Sequence, residues 1–244
     1  LRPGDRLLST SLAISPDDAT LEAYRTVLVD KDFLLWLWNS IAITAGTAVV
    51  GVTLAATSAY AFSRWRFPGR GAGMIFLLAT QMIPAPMMIV PIFILATKLN
   101  LTETYRGLVI AYSVTSVPFS IWILKGYYDT IPWDLEEAAL IDGSSRMGAF
   151  WRIILPLSTP ALAIVFLFNF MTAWNDYLFA RVMLGTAQDL ITWPLGLQRF
   201  QDQFQTQWGL FAAASMLVSV PVLILFLYSS KWLISGLTLG SVKG

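Results

Sequence analysis

Five stretches of the chain carry no charged side chain: residues 33–63, 71–97, 107–124, 153–175 and 203–230. A helix needs about 20 mostly apolar residues to cross the hydrocarbon core of a bilayer. Four stretches exceed that length, and the third, at 18 residues, lies at its lower edge. A single run of this kind could be a buried helix of a soluble domain, but five in 244 residues point to the bilayer on length alone. The pattern therefore predicts an all-α, polytopic membrane protein. Its spans fall near 36–63, 72–97, 107–124, 158–180 and 209–234. Residues 1–35 form a polar leading segment, 36–235 the membrane domain with a polar insert at 129–157, and 236–244 a short tail. The first residue is Leu1 rather than Met, so we expect a further helix before it, six spans in all.

Details within the runs sharpen the picture. Gly51, Ala55 and Ala59 recur every fourth residue, a small-residue stripe that lets a neighbouring helix approach closely. Pro84, Pro86 and Pro91 kink the second span and free carbonyls that protein must satisfy. Pro118 lies inside the third span. Ahead of the first span, 15–28 reads as a short helix, with Ser15 as N-cap, Pro16 at its first position, and Asp17 and Asp18 complementing the dipole. By the positive-inside rule the lysines and arginines divide eight against eight. The dense turn with Arg64, Arg66 and Arg70 tips 64–70 to the cytoplasm, with the first residue outside and the last inside.

Composition removes several chemistries. Cysteine and histidine are absent, which excludes thiolate nucleophiles, disulfides, Cys/His zinc sites and a histidine base. No catalytic group and no metal site is expected. A formal charge of +1 argues against nucleic acid as a partner. No G-x-x-x-x-G-K-[ST] phosphate loop occurs, so this chain cannot hydrolyse ATP itself. An ion-coupled secondary transporter remains as the alternative. It would need ionisable groups within spans, and only Asp176 borders one.

The polar insert reads as two short helices. The first starts at Thr130 or Ile131 with Pro132 in its opening turn, carries Asp134, Glu136 and Glu137 near its positive end, and stops at Gly143. Leu135, Ala138, Ala139 and Asp142 share a small, nearly flat face. Ser144 or Ser145 caps the second helix, which turns Met147, Phe150, Trp151, Ile154 and Leu155 towards the bilayer before Pro156 and Pro160. Such a pair either docks into a cleft of another protein or lies on the membrane as a connector. Interfacial anchors are usually rich in Lys and Arg, and this one is acidic at its start.

In the fourth span Asn169, Thr172, Trp174, Asn175, Asp176 and Tyr177 combine amides, a carboxylate and aromatic rings, the groups that bind sugars. They suit a substrate path or, alternatively, hydrogen bonds between helices. Gln81, Met82 and Met87 are weaker candidates, and 185–208 is an amide-rich, aromatic loop.

The stretch EAALIDGSSRMGAFWRIILPLSTP (137–160) resembles the EAA loop of binding-protein-dependent ABC importer permeases. It keeps Glu137-Ala138-Ala139, Asp142-Gly143, Phe150, Ile153 and Leu155-Pro156 in that family's spacing. AWNDYLFA (173–180) is similar to a segment of sugar permeases, and GLTLGSVKG (236–244) to the tail of a maltose-type permease. The resemblance implies a type I ABC importer permease fold in the cytoplasmic membrane of a prokaryote. It implies that 129–157 is a cytoplasmic coupling loop, with Glu137 as charged anchor and Ala138, Ala139, Asp142, Gly143, Phe150 and Pro156 shaping the docked helix. It further implies that Thr238, Gly240, Lys243 and Gly244 reach the ATPase subunits. The implied partners are a second permease, an ATPase dimer that holds ATP and Mg, an extracytoplasmic sugar-binding protein, and membrane lipid. No cofactor is expected on this chain. The implied substrate is maltose, maltodextrin or a similar oligosaccharide, with trehalose as an alternative.

Overall fold

The computed structural model describes residues 19–201 and 206–241, and in the last helix the side chains through Trp232. Ser15, Pro16, Asp17 and Asp18, with the cap they were expected to form, lie outside the described residues. The leading helix is short: α1 (Glu22–Arg25) opens at once into a π turn over Thr26–Asp30.

Helix α2 (Phe33–Arg64) is the first long, apolar rod. The expected second span is two helices, α3 (Arg70–Thr80) and α4 (Ala85–Lys98), set at 103°. The kink is thus a full break, and Pro84 explains it. It has no N–H to give the Thr80 carbonyl, four residues back, so α3 stops at Thr80, and its extended backbone (φ −56°, ψ 130°) forms the N-cap of α4. Pro91 stays within α4 without ending it. Helix α5 (Tyr105–Tyr128) starts on Thr104, whose Oγ1 accepts the Gly107 N–H at 3.0 Å, and carries Pro118 inside.

In the insert, α6 (Asp134–Ile141) begins later than Thr130 or Ile131, because the amides of those two residues fold back onto Tyr127 and Tyr128. It ends at Gly143, whose φ of +84° only glycine adopts freely. Ser145 Oγ then caps α7 (Arg146–Ala149) by accepting the Gly148 N–H at 3.0 Å. A π turn over Phe150–Ile154 leads into α8 (Leu155–Leu157), and the chain bends by 78° into α9 (Thr159–Trp174). After α9 come α10 (Leu178–Met183), a 3₁₀ turn at Gln188–Leu190, α11 (Trp193–Gln198) and α12 (Trp208–Ser241). The α12 backbone runs past residue 236, where the tail was expected to begin; Lys243 and Gly244 lie outside the described residues.

Helices α2 and α5 run parallel. Their starts meet where the Tyr105 hydroxyl donates to Asn39 Oδ1 (2.6 Å), and their ends where Ser63 Oγ donates to Asp129 Oδ1 (2.7 Å). Helix α9 crosses both in the opposite sense. The crossing is tight at Gly51: a Cβ built there would stand 2.3 Å from Asn169 Oδ1. Ala55 and Ala59, farther along the stripe, are fully buried. Phe150 and Ile154 correct the sequence expectation, since they sit in the core with Tyr60, Leu124 and Tyr128 rather than facing lipid. Trp151 and Met147 do point outward.

Among the described residues, helices α2, α5 and residues Trp208–Trp232 of α12 are each long and apolar enough to cross a membrane, and the two bent pairs raise the total to as many as five. Half of the apolar 18-residue stretch of α5 is buried within the chain (50%) but only 17% of the matching stretch of α12. An exposed surface this apolar is a liability in water; in a bilayer it faces lipid or another subunit.

Candidate coupling site and substrate path

The two adjacent carboxylates of α6 part company. Neighbours on a helix are about 100° apart around its axis, so one turns inward and one outward. Glu137 is exposed, as are Ala138, Asp142 and Gly143, while Ala139 is half-buried. Ile141, on the same outward side, is 86% exposed. Phe150 is buried beneath the loop and Pro156 is exposed.

Glu136 turns inward onto the end of α2. Its Oε1 takes the Arg64 Nε–H at 2.5 Å, and its Oε2 takes the Tyr60 hydroxyl at 2.7 Å. The Arg146 carbonyl lies 3.2 Å from that same hydroxyl oxygen. Arg64 also donates from Nη2 to the Ile131 carbonyl (2.9 Å) and lies over the Trp133 ring at 4.7 Å. Nearby, Lys125 and Ser63 both bond Asp129. Partial burial raises that carboxyl, but those two hydrogen bonds and the charges of Lys125 and Arg70 bring it net below its ordinary value. A cavity of about 850 Å³ opens between the insert and the end of α2, lined by Arg64, Trp65, Arg66, Trp133, Glu137 and Arg146. Its surplus of guanidinium groups suits an acidic partner.

At the other end, Asn39 is fully buried. Its amide nitrogen donates to the Asp189 and Ile191 carbonyls (2.8 and 2.9 Å). Ser40 Oγ accepts the Trp193 N–H at 2.8 Å. Gly196 lies so close to Trp36 that a Cβ would stand 2.1 Å from the indole.

The residues expected to line a substrate path separate. Asn169 is fully buried and donates to Ser120 Oγ and the Val165 carbonyl, both at 2.8 Å. Its Oδ1 has no hydrogen-bond partner among the described residues. Trp174 stacks on Phe170 (5.4 Å) and, with Asn175, borders a largely apolar cleft of about 730 Å³ between α9, α11 and α12. Thr172 is exposed, and its hydroxyl donates to the Phe168 carbonyl. Asp176 instead accepts the Tyr112 hydroxyl (2.9 Å) and the Ala180 N–H (3.1 Å). Tyr177 donates to Gln198. Gln81 reaches the Thr115 carbonyl at 3.2 Å, and Met82 and Met87 are exposed. The structure thus brings together Trp174 and Asn175, and leaves Asn169 and Asp176 in separate contacts.

Sequence reasoning missed Arg64, Tyr60 and Glu136 as a unit, and Asn39 altogether. A faint signal existed for each: Arg64 closes an uncharged run, and Asn39 is a lone amide within it.

Comparison with known proteins completes the picture. The model for the family "Binding-protein-dependent transport system inner membrane component" matches residues 37–234. The maltose/maltodextrin transport system permease protein MalG of Salmonella typhimurium is 39% identical over 217 residues, 86% of this chain and 73% of the relative. The diacetylchitobiose uptake system permease DasC of Streptomyces coelicolor is 34% identical over 243 residues, covering 100% of this chain and 88% of the relative. A solved bacterial ABC transporter involved in the import of the acidic polysaccharide alginate has a chain that superposes with a TM-score of 0.79 at 27% identity, covering 89% of this chain and 81% of that one. With its helical fold and apolar spans, the chain belongs to the binding-protein-dependent inner membrane components, the permeases of bacterial ABC importers.

Proposed function

We propose that this permease imports an oligosaccharide and is driven through α6 by a separate ATPase. The observation that carries the reading is the outward face of α6. Glu137, Ala138 and Ile141 are exposed, yet the helix beneath them is fixed by the Arg64–Glu136 pair. A small-residue face on a rigid base suits a groove in a partner. Closure of two ATPase subunits would then move the attached helices as bodies and open a central path alternately to each side. ATP and Mg belong to that partner, a second permease completes the path, and an extracytoplasmic binding protein delivers the sugar.

The saccharides named for the relatives support the substrate class, with maltodextrin favoured and trehalose as a variant. Trp174 and Asn175 at the cleft offer an aromatic face and an amide, groups that hold sugar rings and hydroxyls. Thr238, Gly240, Lys243 and Gly244 are assigned to ATPase contact on resemblance alone.

The test is reconstitution with the cognate permease, ATPase and binding protein in liposomes. Loaded binding protein is expected to stimulate ATP hydrolysis and sugar uptake together. Ala138→Trp, which fills the docking face without touching the core, is expected to lower both at least tenfold. Uptake by the Trp variant at the unmodified rate would contradict the docking role. Proton-driven uptake without the ATPase would replace the reading with the ion-coupled alternative.

A further inference from the structure

Glu136 takes no part in the docking face, because its side chain is only 8% exposed and that of Arg64 only 1%. What this pair joins is informative: positions 72 residues apart, the last residue of α2 and the first turn of α6. A buried ion pair is a weak source of net stability, since desolvation offsets most of the attraction. It does fix geometry. The Arg64 guanidinium is held along three directions, by the Glu136 carboxylate, the Ile131 carbonyl and the Trp133 ring, and Tyr60 holds the second carboxylate oxygen.

The covalent connections of α6 are less able to carry motion. On one side lies Gly143, left-handed and with nothing within 4 Å of a built Cβ. On the other lies the turn between α5 and α6, bonded to α5 through the Thr130 and Ile131 amides and to α2 through Arg64 itself, at the Ile131 carbonyl. A displaced α6 without the pair would swing on these two joints. With it, α2 must follow, and α2 packs along α5 and α9 and reaches the Asn39 bonds at its far end.

We infer that Arg64 and Glu136 are positioning residues that carry the displacement of α6 into α2. The inference rests on α6 being the helix that meets the ATPase. Long-range coupling needs a physical element that both sites bias, and α2 is a single helix fastened at both ends.

The experiment uses the complete complex in liposomes and reads sugar imported per ATP hydrolysed. Glu136→Ala is expected to keep ATP hydrolysis while the ratio falls at least about fivefold, the lower edge of typical coupling between sites. Glu136→Asp, which keeps a carboxylate for the Arg64 guanidinium and the Tyr60 hydroxyl, is expected to recover most of the ratio, which a lost packing contact would not do. An unchanged ratio in Glu136→Ala would overturn the inference. So would failure of both variants to assemble, because the pair would then serve folding alone. Failure of the proposed function looks different: the unmodified complex would itself import no sugar on ATP.

Discussion

At its Arg64 end α2 is fastened by charge, and at its Asn39 end by a neutral amide. Both sites are buried, and both join α2 to residues far along the chain. The neutral site uses both amide hydrogens and the carbonyl oxygen of Asn39, on Asp189, Ile191 and Tyr105. Hydrogen bonds of this kind are worth about 0.6 kcal/mol each inside membrane proteins. The charged site is different in kind. Complete, it stabilises little; with one partner removed, it leaves a bare charge in a dry place. The neutral bonds therefore hold a loop with graded strength, while the ion pair holds a helix in nearly all-or-none fashion. That contrast matches their neighbours, since the ionic end underlies the helix proposed to bear load.

The largest expected effect breaks the ionic end. Arg64→Ala leaves the Glu136 carboxylate facing only Tyr60, and a loss of about 3–5 kcal/mol is expected in denaturant unfolding in detergent. A loss of no more than about 2 kcal/mol would erase the difference between the ends. Next comes the midpoint of α2. Gly51→Ala would drive a methyl into Asn169 Oδ1, which two hydrogen bonds keep from turning aside. Overpacking of this sort costs up to about 3 kcal/mol, and the same unfolding measurement reads it. The smallest effect is at the neutral end. Asn39→Ala should cost about 2 kcal/mol for its three bonds, with faster amide exchange confined to 188–198. Equal losses from Arg64→Ala and Asn39→Ala would mean that charge confers nothing special.

Much of the fold is legible in the residues, for physical reasons that also mark where reading stops. The spans show because desolvating charge is costly, so uncharged runs trace the bilayer, and α2 lies within a few residues of its predicted bounds. The Gly51-Ala55-Ala59 stripe reads directly as a close crossing. The break between α3 and α4 was visible only as a kink, because three prolines do not say which one ends the helix. Pro84 does and Pro91 does not. At the candidate site, Gly143 and the Ser145 cap follow from local chemistry. The division of labour between Glu136 and Glu137 does not, because it depends on an arginine brought from α2 by tertiary folding. Asn169 stood out as a polar residue within a span, yet composition could not tell its burial against Ser120 from a place on a sugar route.

The most direct test of α6 as the ATPase-facing helix uses the absence of native cysteine. Ala138→Cys gives a single thiol on the exposed face of α6. In membranes carrying the whole complex, a membrane-impermeant maleimide should label it only from the cytoplasmic side, and binding of the ATPase should block the label. Labelling from the outside of intact cells, or labelling indifferent to the ATPase, would contradict the account.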